Sequence, residues 1–522
     1  MSQRPSEVLI VGAGPTGLLL AAELERRDVS PLLIDAHDAP LGWDRATIAH
    51  SRSMEIFEAL GLADRFLDQG VKSGAVRIRS GGRILGLMDF SALESRYPFD
   101  VGISEQVTES ILTDHLSALG GEVTRGTRLA GLRPGAHSVT ATLEHDGEQR
   151  DFEASWVVGC DGYHSAIREL VGIEFPGSDI EAPWAVFDAS LEGWEEELDV
   201  QAAFLDVPTV ILTPLPGGRW RVYLRPTSEE SDLVADAAET VNRYFPDVLF
   251  AGVENAVRFR CHSRIASSYR SGRVLLAGDA AHVCTPAEGH GMNTGLQDAF
   301  NLGWKLAHVC QGDSGPALLD SYEVERRPVA ERVVGSGDAV EGQQSMTPAE
   351  RAERDKEIRR TFAASESAHH EAVGAAEIDR SYAGSGVVAG DSHPDLGPGD
   401  RLPDTDPVEP PDGGPRPLHQ LTHAPGHTLF VLGGPDAAAT EVSDLTGKLE
   451  EAHSESPLVS AVIGLCANPE GEPIGRIGPS IADHLGIYGT TVLAVRPDRY
   501  VGLREDAPDP DAVKRYLEAL AA

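Results

Sequence analysis

The chain has 522 residues, of which 41% are hydrophobic and 24% charged, as in ordinary globular proteins, and this length predicts two or three domains because one hydrophobic core stops growing near about 250–300 residues. The formal net charge of −38 disfavours nucleic acid as a partner, since binding to phosphates requires Lys and Arg side chains. Scattered cysteines without a Cys-x-x-Cys pair predict no metal site, and the lack of an apolar run of ~18 residues or of a leader pattern predicts a cytoplasmic protein without a membrane segment.

The first chemical motif lies near the start of the chain. An apolar run from Val8 to Val11 is followed by "GAGPTG", by apolar positions at helical spacing and by "PLLID". This order of strand, glycine turn, helix and strand predicts a βαβ unit that binds a dinucleotide, with the pyrophosphate on the helix N-terminus and an acid on the ribose hydroxyls. A glycine turn without a ligand is the alternative. The residues expected at the cofactor are Gly12, Gly14, Pro15, Thr16, Gly17 and Asp35.

The following part of the chain predicts a helix, a meander and a half-buried sheet. "TESILTDHLSALG" has helical spacing, whereas "SVTATLEH" and "RDFEASWVVGCDG" alternate as strands do. In residues 180–265, "AFLDVPTVILTPL" and "RWRVYLRP" flank a Pro-Gly-Gly turn. The expected antiparallel sheet would have one face free to cover a ligand.

Two later apolar strands also end at a glycine and an aspartate. "VVGCDGYHSAIRELVGI" passes from a strand into a helix through Asp161 and Gly162, with Arg168 in the first turns, and by itself it fits a capped surface turn equally well. "RVLLAGDAAH" places Asp279 just past a strand end, where open α/β sheets bind ligands.

The last third of the chain contains helices, a linker and a small domain. Residues 296–341 predict two helices, and a charged helix is expected around 348–372. A stretch rich in Gly, Pro and Asp, "GSGVVAGDSHPDLGPGDRLPDTDPVEPPDGGPRP", is typical of a linker. The short apolar strands beyond it predict a separate α/β domain.

Taken together, these motifs resemble those of the FAD-dependent aromatic hydroxylases, single-component flavoprotein monooxygenases of the para-hydroxybenzoate and phenol hydroxylase type. The likeness runs from "GAGPTG" through "CDG" to "GDAAH" and "PAEGHGMNTG". It implies an α/β protein with a Rossmann-type FAD-binding domain and an inserted antiparallel-sheet substrate domain. The further cofactor-binding residues that it implies are Arg45, Gln106, Asp161, Gly162, Arg168, Gly278, Asp279, Pro286, Gly289, Gly291, Met292 and Asn293.

The resemblance also directs attention to the helix that follows "PAEGHGM". This helix is expected to begin near Asn293 and to point its N-terminus at flavin N1 and O2, where reduced flavin carries negative charge. A catalytic base is not identified by the sequence. His290, Tyr223 and Arg221 are candidates, and packing roles explain each of them at least as well.

Two features need comment within this resemblance. In many relatives a proline and a glutamine begin the helix placed at "SEQVTESIL", whereas here no proline precedes Glu105 or Gln106. The chain end resembles the thioredoxin-like domain of larger members through "PGDRLPD", "LFVLGG" and "VLAVRPDRYVGLR". Without Cys-x-x-Cys, this domain is expected to be structural or to support a homodimer.

The expected domain organisation has four segments. The first part of the FAD-binding domain is placed at residues 1–175 and the substrate-binding antiparallel sheet at 176–268. Completion of the FAD-binding domain with its helices is placed at 269–385, and the thioredoxin-like domain at 386–522.

The implied activity is that of an NADPH- or NADH-consuming monooxygenase. Resident FAD and O2 would hydroxylate a phenolic or polycyclic, polyketide-like substrate through a flavin hydroperoxide, as in antibiotic biosynthesis or phenol catabolism. A Baeyer–Villiger or epoxidising monooxygenase would share every cofactor residue. A non-catalytic FAD-binding scaffold is the alternative outside enzymes, and a flavin-dependent halogenase is disfavoured because "EGWEEELDV" is not its expected Trp-x-Trp-x-Ile-Pro segment.

Overall fold

The computed structural model describes residues 7–42, 46–404, 406–469 and 471–522. No helix in these ranges is both long and apolar enough to cross a membrane. The charged stretch expected to form one helix around 348–372 forms two. The α-helices of the described residues are α1 Pro15–Glu25, α2 Ser51–Ala59, α3 Ala63–Gln69, α4 Glu105–Ala118, α5 Ala166–Leu170, α6 Leu233–Val241, α7 His290–Gln311, α8 Asp320–Gly342, α9 Pro348–Ala363, α10 Ser365–Ala375, α11 Ala439–His453, α12 Pro479–His484 and α13 Pro510–Ala521.

A mainly parallel sheet forms the centre of the N-terminal part. Its strand Val8–Val11 is buried throughout and pairs in parallel with the strands on both sides. Both faces of the strand are buried, so all four residues are apolar instead of alternating between apolar and polar. The carboxyl ends of Val8–Val11, Trp156–Gly159 and Val274–Leu276 therefore lie side by side, and the three glycine motifs begin there. The strand order is Arg270–Ser271, Val274–Leu276, Trp156–Gly159, Val8–Val11, Leu32–Ile34, Val123–Thr124.

A seven-stranded sheet forms the second layer. Its pairs are antiparallel except for Val200–Phe204 with Ala75–Ser80. Two strands, Ala75–Ser80 and Arg83–Asp89, come from the segment before residue 175, so the sheet is not built from residues 176–268 alone. The strand order is Leu249–Phe259, Trp184–Glu192, Arg219–Leu224, Val210–Leu215, Val200–Phe204, Ala75–Ser80, Arg83–Asp89.

The two faces of this sheet differ. One face packs its apolar side chains, including Phe187 and Val222, against α6. Because side chains alternate along a strand, the neighbouring residues Val186, Asp188 and Tyr223 lie on the other face. That second face carries the side chains that reach the segment around residue 47.

Smaller sheets complete the N-terminal part. Most of these sheets have short strands, so they support the segments between the two larger sheets and do not form a core of their own. They consist of Thr127–Pro134, Val139–His145 and Glu148–Ala154; of Gly177–Asp179, His262–Ile265 and His282–Val283; and of Ile48–Ala49, Val71–Ser73 and Asp100–Gly102.

The C-terminal part has its own mixed sheet with two apolar clusters on its faces. Within it, His427–Gly433 runs parallel to Val459–Cys466 and antiparallel to Thr490–Val495. The strand order is Ala389–Gly390, Val501–Glu505, Thr490–Val495, His427–Gly433, Val459–Cys466, Gly475–Arg476, and a separate pair joins Pro407–Val408 with Arg416–Pro417.

A buried ionic cluster joins the C-terminal part to the helices of the N-terminal part. Arg496 makes two 2.8 Å hydrogen bonds to the Glu325 carboxylate on α8, and Lys305 on α7 lies 2.7 Å from the same group. Arg499 donates to the Glu58 carboxylate on α2 at 2.6 Å. Burial removes water from these charged groups, but each is paired with a group of opposite charge. The pairs therefore fix how the C-terminal part docks on the N-terminal part.

Candidate active site

The turn between the first strand and α1 is shaped for close approach of a ligand. Gly12 has φ +104°, and a Cβ there would lie 2.2 Å from the carbonyl oxygen of Cys160. A Cβ on Gly17 would lie 2.0 Å from the Gly12 carbonyl oxygen, so both glycines are required by the protein itself. Gly14 differs, because the nearest described atom to a Cβ at this position would be Glu109 Oε1, at 4.0 Å. The side of the turn at Gly14, on the N-terminus of α1, is open.

Asp35 lies at the end of the neighbouring strand and braces the same turn. Its Oδ2 accepts a hydrogen bond from the Ala13 N–H at 2.9 Å, and its Oδ1 accepts one from the His37 N–H at 2.9 Å. Arg125 lies 3.7 Å from Oδ1. His37 Nδ1 lies 3.0 Å from Oδ1 as well. Because Oδ2 accepts only the Ala13 N–H among the described residues and can accept a second hydrogen bond, it leaves room for a ribose hydroxyl.

The second motif contains a buried carboxylate oxygen with unused capacity. Asp161 Oδ2 accepts from the Ile167 N–H at 3.1 Å, whereas no described residue donates to the buried Oδ1. Burial raises the pKa of Asp161, against the effect of hydrogen bonds from Ser165 and nearby backbone N–H groups. Gly162 has φ +76° and open space around its Cβ position.

Arg168 of the same motif faces inward. Its guanidinium donates to the Ala280 carbonyl at 2.9 Å and to the Tyr163 carbonyl at 2.7 Å, and it lies 3.9 Å from the centre of the Phe175 ring. Arg168 thus joins the second motif to the third, and its role toward a cofactor stays a prediction.

The third motif is held by a carboxylate that the sequence analysis missed. Asp298 on α7 accepts from the Gly278 N–H at 3.1 Å, lies 2.7 Å from His282 Nε2 and accepts from Arg326 Nε at 2.7 Å. Burial alone would raise the pKa of Asp298, but His282 and Arg326 outweigh it and lower the pKa. The ionised Asp298 therefore fixes the turn from which the exposed Asp279 projects.

Thr16 fits between two glycines of the third motif region. A Cβ on Gly278 would lie 2.7 Å from Thr16 Oγ1, and one on Gly295 would lie 2.4 Å from it. The structure thus shows Thr16 packing α1 against α7.

The N-terminus of α7 lies beside these turns. The helix begins at His290, so the prediction of a start near Asn293 was wrong by three residues, because Gly289 with φ +73° serves as the N-cap after the short helix Pro286–Glu288. Among the described residues no side chain caps this end and no acid lies in its first turn. Gly291 and Met292 are partly exposed here. Free N–H groups and the helix dipole make this end suited to negative charge.

The side chain of Asn293 is used inside the protein, and the predicted contact of this residue with a cofactor stays a prediction. Its amide donates to the carbonyls of Ile48 and Gly289 at 2.9 and 2.8 Å, and its oxygen accepts from the His50 N–H and the Ser53 hydroxyl at 3.0 and 2.7 Å. This side chain is fully occupied in joining α2 to α7. Any contact of Asn293 with a cofactor would use its backbone.

The three candidates for a catalytic base lie in different surroundings. His290 lies 2.9 Å from Glu377 Oε1 and is buried. Arg221 forms a two-fold ion pair with Asp188, at 2.7 and 2.9 Å, and is buried as well. Tyr223 Oη lies 2.8 Å from Thr47 Oγ1. Arg221 and Tyr223 therefore do share a face, as their alternation predicted.

An aromatic and apolar cluster surrounds Tyr223 on the second face of the seven-stranded sheet. Trp184, Val186 and Cys261 are its other buried members, and Ala287 of the turn before α7 packs against it. This cluster thus meets the turn that precedes the N-terminus of α7. A flat apolar ligand bound between the cluster and this turn would be dehydrated on both sides.

For two further predicted residues the described part of the chain shows no contact that bears on a cofactor. Gln106 is exposed on the first turn of α4, whereas the adjacent Glu105 accepts from the Ala46 N–H at 3.0 Å. Arg45 lies outside the described residues.

These observations fit a bound FAD. An open glycine turn on a helix N-terminus suits the pyrophosphate, the exposed Asp279 and the unused Asp161 oxygen offer acceptors for hydroxyl groups, and the uncapped end of α7 suits the electron-rich edge of a flavin. The three motifs begin at adjacent strand ends, so one extended ligand could contact all three.

Comparison with known proteins points the same way. The profile of the family described as "FAD binding domain" matches residues 5–336. A 6-methylpretetramide 4-monooxygenase from Streptomyces rimosus is 37% identical over 344 residues, which are 63% of this chain and 60% of that protein. A rifampicin monooxygenase from Streptomyces venezuelae is 36% identical over 350 residues, covering 63% of this chain and 69% of that protein. The chain thus spans less than two thirds of the first of these relatives.

A solved structure agrees over nearly the full length. The OxyS anhydrotetracycline hydroxylase from Streptomyces rimosus superposes with a TM-score of 0.76 at 30% sequence identity, and the match covers 99% of each chain. The likeness therefore includes the C-terminal part, which the family profile does not reach.

Proposed function

Because the chain belongs to the FAD-dependent aromatic hydroxylase family, we propose that it is an FAD-dependent monooxygenase that uses NADPH or NADH and O2 to hydroxylate an aromatic substrate. The observation that carries this proposal is the convergence of three glycine motifs at adjacent strand ends. The contact of the Tyr223 cluster with Ala287, in the turn before α7, supports it. The names of the relatives support a phenolic or a polycyclic, polyketide-like substrate.

Different residues would bind the different parts of FAD. The N–H groups at the open Gly14 turn would bind the pyrophosphate, and Asp35 the adenosine ribose. Asp279 and Asp161 would accept hydrogen bonds from hydroxyl groups of the ribityl chain and of the neighbouring part of FAD. Gly289 and Gly291 would let the backbone of the α7 N-terminus approach the flavin.

FAD, when bound, supplies the redox chemistry by taking hydride from the nicotinamide donor and activating O2. The chain's own residues supply placement and exclusion of water. Trp184, Val186 and Ala287 would hold an aromatic ring by apolar contact. Tyr223 Oη, held by Thr47 Oγ1, would orient a phenolic hydroxyl. We favour Tyr223 over His290 for this contact because Tyr223 belongs to the apolar cluster, whereas His290 is paired with Glu377.

We further infer that residues 386–522 are a thioredoxin-like domain with a structural role. A strand order in which two parallel strands are followed by an antiparallel hairpin, with α11, α12 and α13 as connections and end, supports the fold. The buried ions of Arg496 and Arg499 support a fixed attachment to α2 and α8.

The test is oxidation of NADPH and NADH by the FAD-loaded protein, without and with simple and polycyclic phenols, with products read by mass. The proposal expects one or more phenols to accelerate oxidation and to gain one oxygen atom. A ring-expanded lactone or an epoxide would instead identify a Baeyer–Villiger or epoxidising enzyme. FAD binding without any substrate-stimulated oxidation would support the scaffold and contradict the proposal. Tyr223→Phe serves as a variant that keeps the ring and should raise KM for phenols more than for their methyl ethers.

A further inference from the structure

Two imidazole–carboxylate pairs face each other at the N-terminus of α7. His50 Nδ1 lies 2.8 Å from Asp100 Oδ1, and His290 Nδ1 lies 2.9 Å from Glu377 Oε1. The two imidazole rings are 5.3 Å apart, centre to centre. All four side chains are buried. Burial of ionisable groups costs free energy even when they are paired, and such groups cluster at functional sites.

His50 packs against the N-cap of α7, whereas His290 is the first residue of the helix itself. Its main-chain N–H donates to Asn293 Oδ1 at 3.0 Å, which fixes α2 against α7. A Cβ on Gly289, the N-cap of α7, would lie 3.5 Å from His50 Nε2. The ring therefore has one nitrogen toward the backbone of the N-cap and the other toward Asp100.

The Asp100 carboxylate lies on the side of the His50 ring that faces away from α7. Asp100 Oδ2 accepts a hydrogen bond from Gln201 Nε2 at 2.8 Å, and Gln201 belongs to the seven-stranded sheet. Asp100 is thus held in place by the layer that carries the aromatic cluster. The positive end of the His50–Asp100 pair points at the helix N-terminus and its negative end points away.

The charge of His50 follows from its neighbours. Burial opposes protonation, but the charge and hydrogen bond of Asp100, with Glu377 and the carbonyl of Glu288, outweigh it and raise the pKa of His50 to about 9. Burial also opposes the charged form of Glu377, whose pKa is nevertheless lowered to about 2 by His290 and His50. His50 is consequently a cation at neutral pH.

We propose that His50 is a fixed cation that makes the N-terminus of α7 bind reduced flavin more tightly than oxidised flavin, with Asp100 as its positioning residue. This inference rests on the proposed function, since it requires the flavin to lie at this helix end. The partial charge of the helix dipole acts in the same direction. The carboxylates of Asp100 and Glu377 oppose the effect, but the orientation of the His50–Asp100 pair leaves the cation nearer to the N-cap Gly289 than Asp100 is.

The test is the midpoint potential of bound FAD in the wild type and in His50→Gln. The variant is expected to weaken binding of reduced flavin relative to oxidised flavin about ten-fold, which makes the potential of this two-electron couple more negative by about 30 mV. The matched control is His308→Gln, because His308 pairs with Asp313 at 3.1 Å near the opposite end of the same helix. Its potential should equal that of the wild type.

Asp100→Asn is the second variant in case His50→Gln does not retain FAD. It keeps the His50 ring but removes the group that holds its proton, so His50 loses its charge as the pH rises from about 6 to 8. The potential of Asp100→Asn should therefore fall further below that of the wild type over this interval.

The outcomes separate this inference from the proposed function. A His50→Gln protein that retains FAD at an unchanged potential overturns the inference, as does an Asp100→Asn protein whose potential keeps a constant offset from the wild type. If the wild type meanwhile hydroxylates phenols, the proposed function stands. A wild type that binds no FAD overturns both.

Discussion

Gly14→Ala separates cofactor binding from folding. Gly14 is the N-cap of α1 with φ −76° and ψ −177°, a conformation that alanine adopts without strain. The added methyl would meet no described atom nearer than Glu109 Oε1, at 4.0 Å. Alanine restricts the unfolded chain, which stabilises by about 0.4–1 kcal/mol, but alanine is a poorer N-cap than glycine by a similar amount. The free energy of unfolding of the FAD-free protein should therefore stay within about 1 kcal/mol of the wild-type value.

The same methyl occupies the open side of the turn, where the pyrophosphate is proposed to lie. It would separate the phosphate oxygens from the backbone N–H groups of α1 and break at least one hydrogen bond to a charged group. Such a bond contributes about 1.5–3 kcal/mol, which corresponds to a loss of FAD affinity of about 10- to 150-fold.

The assay is a fluorescence titration of the FAD-free protein with FAD, together with thermal unfolding of the FAD-free protein. Gly12→Ala is the comparison, because its Cβ would lie 2.2 Å from the Cys160 carbonyl oxygen at φ +104° and should destabilise the protein even without FAD. A Gly14→Ala protein that binds FAD as tightly as the wild type would refute the placement of the pyrophosphate.

Three further predictions concern the third motif, the interface and acid stability. Asp279→Ala should lose FAD during purification, and a flavin content equal to that of the wild type would count against the third motif. Arg496→Met should lower the free energy of unfolding by about 3–5 kcal/mol in urea titrations, because the buried Glu325 carboxylate loses its main partner. The control is Arg515→Met, which changes an exposed residue and should leave the free energy of unfolding unchanged. Equal urea midpoints for the two variants would contradict the structural role of the interface. Burial, with the charges of neighbouring basic groups, lowers the pKa of His427 to about 3, so its neutral form stabilises the protein above about pH 6.5 and this stability is lost as the pH falls toward 3. The free energy of unfolding of His427→Asn should therefore fall less steeply than that of the wild type as the pH falls over this interval. An equally steep fall would show that His427 does not cause the loss of stability.

Local sequence patterns predicted that each of the three motifs follows an apolar strand, and the family resemblance implied one cofactor for all three. Each motif follows an apolar run, and parallel strands bring their carboxyl ends to the same edge of a sheet, as Val11, Gly159 and Leu276 show. The alternation of Arg221 and Tyr223 likewise predicted their shared face. These features depend on periods of a few residues and on backbone conformations that only glycine tolerates.

Residues that act through distant contacts were not predictable in this way. Asp298 looks like an ordinary polar position of α7, and its partners His282 and Arg326 come from a strand and from α8. Glu377 reaches His290 from beyond α10. A pairing signal between such positions would require many related sequences, because no local period marks them.

The start of α7 shows a different kind of error. Glycine at positions 289 and 291 suggested an extended loop up to Asn293, since glycine is a poor helix former. The structure uses Gly289 as a left-handed N-cap and continues the helix through Gly291. The first turn is thus available for a ligand while Asn293 is committed to the contact with α2.

The most direct test of the proposed activity is incorporation of labelled oxygen from ¹⁸O₂ into the hydroxylated product of the FAD-loaded protein. The account predicts a product that carries one ¹⁸O atom when the reaction runs with NADPH or NADH under ¹⁸O₂ in unlabelled water. Unlabelled product, or consumption of the nicotinamide donor that yields only hydrogen peroxide with every phenol offered, would contradict a monooxygenase.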